Sequence, residues 1–247
     1  VSDYAFYNDV KLFEIEKIIP VNRVNTVGNY SFYGTSVGGP SHPIDYSKFT
    51  TIGDYAFGNC VEIKSITLTD ANTSIGKGAF SGCQNLTSVE LKKASRIESI
   101  AFKGCSNLKE VYLGNKITSI EFETFANCSK LRKIRLSDKI KTIANAAFYK
   151  CSSLEHVDFP ASLEKIDELA FGNCPSLTIG AFPESLETIE RYAFYGCKAI
   201  KEINIPKNVM HLSNNAFLKC AIEHIKVDKD HPTLKDEGKD VITLIQS

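Results

Sequence analysis

The 247-residue sequence predicts a repeat solenoid, a mainly β fold of about ten coils with parallel strands on one face and irregular or short-helical arcs. Three observations support this fold class. A phenylalanine recurs about every 23 residues, a cysteine follows it by three positions, and an alternating apolar pattern follows the cysteine. Because so short a unit cannot bury its own apolar face, its neighbours must stack on it.

The phenylalanine and cysteine columns define the repeat. Consecutive phenylalanines of the regular repeats are 23 residues apart, except for one interval of 22. Two drifted copies, at Phe6 and Phe32, precede them and have Asp9 and Thr35 in the cysteine position. The eight regular repeats contain the pairs Phe57/Cys60, Phe80/Cys83, Phe102/Cys105, Phe125/Cys128, Phe148/Cys151, Phe171/Cys174, Phe194/Cys197 and Phe217/Cys220.

Within each repeat, the apolar spacing indicates a strand, a turn and an arc. Apolar residues lie three, six and eight positions after the cysteine, as Leu108, Val111 and Leu113 do. The alternation at the last two positions predicts a short, half-buried strand. A second apolar pair, such as Ile117 and Ile120, follows the turn, and the Ala-Phe segment closes the coil as the arc.

One coil departs from the strand pattern. Gly180 occupies the position where other coils have Ile or Val, and Ile179 and Phe182 flank it. Since glycine weakens a strand and often marks a bulge, we expect a local bulge or a thin spot in the core there.

The repeats predict a single domain over residues 1–247. Residues 1–50 hold the drifted repeats with a loop insertion at 33–48, and residues 51–226 hold the regular ones. Residues 227–247 are expected to cap the last coil, because the end of a stack exposes core and an unpaired strand edge. The chain begins inside a repeat, so we expect a fragment of a longer protein. The apolar run of the cap is Val241, Ile242, Leu244 and Ile245.

The repeat pattern L-x-x-I-x-L-P…I-x-x-x-A-F-x-x-C resembles the BspA-like, treponemal-type family of leucine-rich repeat surface proteins. The segment LEHVDFPASLEKIDELAFGNC at 154–174 fits every diagnostic position, and the match covers nearly the whole chain. The resemblance implies a leucine-rich-repeat right-handed superhelix. It also implies a cell-surface or extracellular protein that binds protein, glycoprotein or host-matrix ligands, often in adhesion.

The eight cysteines are predicted to form one column along the solenoid. Disulfide bonds and metal ligation are alternatives to free thiols. Equivalent side chains in stacked coils point the same way, which hinders bridging, and no C-x-x-C or His/Cys cluster typical of zinc sites is present. Asp9 and Thr35 indicate a position that favours a short side chain able to hydrogen-bond the backbone. We therefore expect a buried ladder of free thiols.

Composition and motifs argue against several function classes. Lys plus Arg and Asp plus Glu both number 29, whereas a nucleic-acid-binding protein usually has a basic excess. The sequence has no apolar run long enough to span a membrane, and no signal peptide or lipidation motif. It also lacks nucleotide-binding and hydrolase motifs and paired histidines at metal-ligand spacing. We therefore expect no enzymatic activity and no cofactor.

The outward strand positions, at four, five and seven residues after each cysteine, should form three columns on one face. Two interpretations of this face remain open. In the first, neighbouring coils only exchange ion pairs, namely Arg132 with Glu155, Lys133 with Glu110 and Arg135 with Asp158. Alternatively the middle coils form a ligand face, because Arg and Tyr are enriched at binding hot spots. The candidate residues are Lys109, Glu110, Tyr112, Arg132, Lys133, Arg135, His156, Asp158 and Ile179.

The sequence thus favours a non-catalytic surface or secreted module that binds a protein or matrix ligand through its strand face. The alternative is a structural spacer or assembly segment of a larger surface protein, with no ligand of its own.

Overall fold

The computed structural model describes residues 1–9, 25–39, 44–69, 72–232 and 234. In these ranges the chain forms a parallel β-solenoid of about nine turns, which confirms the predicted fold class. The loop residues 40–43 and the predicted cap run from Val241 to Ile245 lie outside the described residues. Among those described, no helix has the length and hydrophobicity that a membrane span requires.

The strands are short, and each coil contributes one or two of them. In chain order they are β1 (Thr26–Val27), β2 (Thr51–Ile52), β3 (Ser65–Thr67), β4 (Ser74–Ile75), β5 (Ser88–Leu91), β6 (Arg96–Ile97), β7 (Glu110–Leu113), β8 (Ser119–Ile120), β9 (Lys133–Arg135), β10 (Thr142–Ile143), β11 (His156–Val157), β12 (Lys165–Ile166), β13 (Thr178–Ile179), β14 (Thr188–Ile189), β15 (Glu202–Ile205), β16 (His211–Leu212) and β17 (His224–Val227). The described helical element is a 3-10 helix at Tyr46–Lys48.

The strands predicted from the alternating pattern pair in parallel as β3-β5-β7-β9-β11-β13, which we call the front ladder. From β3 to β11, equivalent repeat positions face each other in its register, for example Val111 opposite Ile134. The second residue of the second apolar pair in each coil, together with the residue before it, forms a further series of two-residue parallel strands, β1-β2-β4-β6 and β8-β10-β12-β14-β16. This second ladder was not predicted, because a spacing of three residues gives no alternation.

The irregular coil at Gly180 interrupts the front ladder. The six-stranded sheet ends at β13, and β15 pairs only with β17 among the described strands. Ile179 is half-buried against the core, and the Phe182 ring packs 5.9 Å from the ring of Phe194. Val157 lies opposite Ile179 and not opposite Gly180, so the half-buried Ile179 takes the inward place. The predicted irregularity takes the form of a one-residue register shift, after which the strand pairing of the front ladder breaks.

The phenylalanine column forms the centre of the core. Ten rings, from Phe6 to Phe217, stack with centroids 5.0 to 5.5 Å apart and planes 3 to 10° from parallel. The eight rings of the regular repeats are fully buried. The ring spacing is close to the ~4.8 Å between parallel strands, so one rise per coil satisfies both the sheet and the stack.

Each arc, the turn that contains the phenylalanine and ends at its cysteine, has two residues in the left-handed region. They lie two positions before and two positions after the phenylalanine in all ten coils, as Glu123 and Asn127 do around Phe125. These kinks turn the chain back between the two ladders. The arcs also bond to each other, because each phenylalanine N–H donates to the carbonyl that precedes the next phenylalanine, at 2.7 to 2.9 Å.

The cysteines join the arcs through their side chains. Each thiol Sγ donates to the phenylalanine carbonyl of the preceding coil, at 2.9 to 3.2 Å. In most coils the same carbonyl also accepts the backbone N–H of its own coil's cysteine, as Phe57 O accepts from Cys60 N as well as from Cys83 Sγ. The Thr35 hydroxyl donates to the phenylalanine carbonyl of its own coil, Phe32 O, at 2.8 Å. The thiol therefore satisfies a second lone pair of a buried carbonyl.

All eight cysteines are free, and all except the half-buried Cys220 are buried. Burial raises the pKa of these thiols, to about 11 at Cys60 and to about 12 at Cys128, Cys174 and Cys220. Since the thiolate is the reactive form, both access and ionisation oppose oxidation and alkylation in the folded protein.

We predict that a thiol reagent at about pH 8 modifies no cysteine other than Cys220 in the native protein. After denaturation without reductant, the same reagent should modify all eight cysteines. Raising the pH to about 10 should increase native labelling of the buried seven only slightly, because their thiol pKa values are raised by burial. Mass spectrometry counts the labels. Fewer than eight reactive thiols in the denatured chain, or rapid native labelling of several, would contradict the ladder.

A second prediction concerns the ring stack. Replacing the fully buried Phe125 with alanine should lower the free energy of unfolding by about 3–5 kcal/mol, because it empties the middle of the column. Phe122 on the same arc is 46% exposed, so Phe122→Ala should change that free energy by less than about 0.5 kcal/mol. Urea unfolding of both variants provides the measurement, and equal losses would refute the importance of the stack.

Candidate ligand-binding face

The front ladder positions the candidate residues in columns. Glu110, Lys133 and His156 are opposite one another in register on β7, β9 and β11, and Tyr112 is opposite Arg135. The residues between them, such as Val111 and Ile134, point into the core and are buried. Strand alternation therefore fixes the outward direction of the candidate side chains, as the sequence predicted.

The candidate residues are not equally accessible. Tyr112 and Ile179 are half-buried. Ile179 packs against the core two coils beyond β9 and therefore does not join the others in a common site. The exposed members are Lys109, Glu110, Arg132, Lys133, Arg135, His156 and Asp158.

One of the three predicted ion pairs between coils is present. Arg132 Nε lies 3.9 Å from Glu155 Oε1, and both side chains are about two-thirds exposed, so the pair contributes little stability. The predicted pairs of Lys133 with Glu110 and of Arg135 with Asp158 are not formed in the described structure.

The acidic partners are instead engaged within their own strands. The Tyr112 hydroxyl donates to Glu110 Oε2 at 2.9 Å, and His156 Nε2 lies 3.0 Å from Asp158 Oδ1. Side chains two residues apart on one strand point to the same side, so they compete directly with partners on the next coil. The bond to Glu110 also raises the pKa of Tyr112 above its usual value.

Lys133 and Arg135 consequently have no ion-pair or hydrogen-bond partner for their side chains within the described part of the chain. Both line a cleft of about 440 Å³ beside β9, together with Tyr112 and Asp158. The remaining lining residues come from the core edge and the following turns: Ile134, Leu136, Asp138, Phe159 and Pro160.

The sequence reasoning missed these turn residues, because it considered only outward strand positions. The available signal was Phe159, an aromatic residue at the end of the strand where the four preceding coils have leucine. Phe159 is half-buried and stacks 5.6 Å from Phe182, which leaves part of its ring at the cleft. Lys109 and Arg132 lie outside the lining of this cleft.

The cleft combines two cationic side chains, the carboxylates of Asp138 and Asp158, one tyrosine and an apolar floor, which together suit a partly apolar ligand surface with charged groups. Across the described residues, no group of three or more His, Cys, Asp or Glu side chains is arranged to hold a metal ion.

Comparison with known proteins identifies the repeat. A family profile described as the BspA type leucine rich repeat region matches the chain in six copies, over residues 1–132 and 118–237. No curated protein shows a match to the chain.

Three solved structures share the fold. A leucine rich cell surface protein from Faecalibacterium prausnitzii is 24% identical with a TM-score of 0.58, over 82% of this chain and 64% of its own. The leucine rich repeat protein of T. pallidum is 25% identical with a TM-score of 0.51, over 66% and 78% of the two chains. The pneumococcal vaccine antigen PcpA is 20% identical with a TM-score of 0.50, over 84% and 60%.

This chain thus spans less than two thirds of the F. prausnitzii protein and of PcpA. At these identities the similarity establishes the architecture. The repeat pattern, the stacked arcs and the profile that covers both halves of the sequence agree: the chain belongs to the BspA-type leucine-rich repeat family.

Proposed function

We propose that this chain is a non-catalytic binding module of a cell-surface or secreted protein, and that it captures a protein or glycoprotein ligand through the front ladder. The observation that carries this proposal is the pair of unpartnered cations, Lys133 and Arg135, beside Tyr112 at a cleft with an apolar floor.

The two unpartnered cations of the cleft favour ligand binding there. An exposed cation that already has a partner must break that contact to bind, whereas Lys133 and Arg135 need not. Tyr and Arg are enriched at interface hot spots because they combine apolar area with directed hydrogen bonds. A solenoid also presents an extended surface, on which contacts from several coils add together.

The similar structures support the proposed cell-surface or secreted location of the protein. Among the similar structures, one is described as a cell surface protein and another as a vaccine antigen. A surface location would expose the front ladder to host or extracellular-matrix ligands, which fits a role in adhesion.

A structural spacer without a ligand of its own is the second candidate. It is favoured by the contacts within strands at Glu110 and Asp158, which satisfy part of the face without any partner. The two functions differ in whether the isolated chain captures a ligand at all.

We predict that Lys133→Glu combined with Arg135→Glu lowers capture of a matrix ligand at least tenfold, because it replaces both cations of the cleft with anions and leaves every charged lining residue negative. The probes are a panel of purified extracellular-matrix proteins and mucin, measured by biolayer interferometry at two salt concentrations. Weaker capture at high salt is expected for the unmodified protein.

The matched control is Lys64→Glu combined with Lys77→Glu, which makes the same charge change at exposed sites away from the cleft. It should leave capture within about twofold. Undiminished capture by the cleft variant, with an unchanged melting temperature, would refute this face as the site. Absence of capture across the whole panel would favour the spacer.

A further inference from the structure

A second cleft lies on the arc surface of the C-terminal coils, away from the front ladder. Its volume is about 810 Å³, nearly twice that of the cleft beside β9. Its lining includes three lysines, two asparagines and a tyrosine, and no carboxylate: Lys150, Lys198, Lys219, Asn127, Asn173 and Tyr195. In a chain of zero formal net charge, this is a local concentration of positive charge.

The ammonium groups of the three lysines are free to bind an anion. None of them forms an ion pair with another residue of the described structure, and all three are exposed. Two of them lie over tyrosine rings, with Lys150 Nζ 5.2 Å from the Tyr149 centroid and Lys219 Nζ 5.0 Å from that of Tyr195. A cation–π contact orients an ammonium group without neutralising it, so both lysines are held ready for an anion.

The backbone conformation at two of these lysines is a second, independent observation that singles out this cleft. Lys150 and Lys219 are in the left-handed region, with φ of 60° and 62°. In the other eight coils the same position, immediately before the cysteine column, is always Asn or Gly. These two residue types suit that conformation, and lysine is less stable there. The two exceptions to the column are therefore both lysines, and both line this cleft.

The neutral groups of the cleft narrow the ligand class. The side-chain amides of Asn127 and Asn173 and the hydroxyl of Tyr195 have no hydrogen-bond partner within the described residues. Amides and hydroxyls without partners, beside an aromatic ring, complement the hydroxyl groups and C–H faces of sugars. Lysine ammonium groups complement sulfate or carboxylate substituents.

We propose that this cleft is a second binding site, which takes an anionic polysaccharide. Lys150 and Lys219 are three coils apart, or ~15 Å at the spacing of parallel strands. A ligand that contacts both must therefore be a chain of several sugar units. This site is separate from the front ladder, and it would bind whether or not the front ladder has a protein ligand.

The test replaces each lysine by a residue that other coils have in the same column: Lys150→Asn, Lys219→Asn and Lys198→Ser. Isothermal titration calorimetry measures the binding of two probes, the sulfated polysaccharide heparin and the carboxylated polysaccharide polygalacturonate. We expect the unmodified protein to bind at least one of them and not neutral dextran. The triple variant should bind about tenfold more weakly, because three charge contacts are lost.

The triple variant should melt no lower than the unmodified protein, since Asn suits the left-handed backbone. A control variant, Lys64→Thr with Lys77→Asn and Lys139→Ser, removes the same charge from other surfaces and again uses residues from equivalent positions. It should bind the polysaccharide as the unmodified protein does.

Four results would overturn the proposal. They are no binding of either polysaccharide, unchanged binding by the triple variant, an equal loss in the control variant, and tighter binding of poly-glutamate or single-stranded DNA than of both polysaccharides. The last would assign the cleft to an acidic peptide or a nucleic acid.

Discussion

The contact between successive arcs is the interaction on which the rest of the structure depends. It has three parts that repeat with the same rise: the stacked phenylalanine rings, the phenylalanine N–H bonded to the next coil, and the cysteine thiol bonded to the preceding one. Because all three join adjacent coils, they fix the register of the arcs. The arcs in turn set where each front strand begins, and hence which side chains share a column on either surface.

The choice of cysteine follows from this contact. Its position lies in a column that is buried in all the regular coils except the last, beside a carbonyl that in most coils already accepts a backbone hydrogen bond. Alanine would leave the second lone pair unsatisfied, and a serine hydroxyl would be more costly to bury if its bond were lost. A thiol is small, apolar and a weak donor, so it fits the space and the carbonyl together. Burial then keeps it protonated and unreactive.

Much of this architecture could be predicted from the sequence because three residue columns keep the same period. What could not be predicted depends on packing. Residues such as Ile100 and Leu169 adopt left-handed backbone that their type disfavours, since the stacked arcs impose it. Glu110 and Asp158 bond within their strands and not across coils, which depends on side-chain rotamers. The lysine cleft combines positions on five coils that no single repeat reveals.

Hydrogen exchange of the arc amides tests the central claim most directly. If the arcs are the coupling between coils, the phenylalanine N–H groups of inner coils, such as Phe125 and Phe148, should exchange slowly and at similar rates. The corresponding amide of Phe6 should exchange faster, because Phe6 is only half-buried and most of the residues around it are exposed. Inner arc amides that exchange as rapidly as those of the exposed turns would contradict the claim that arc contacts hold the solenoid together.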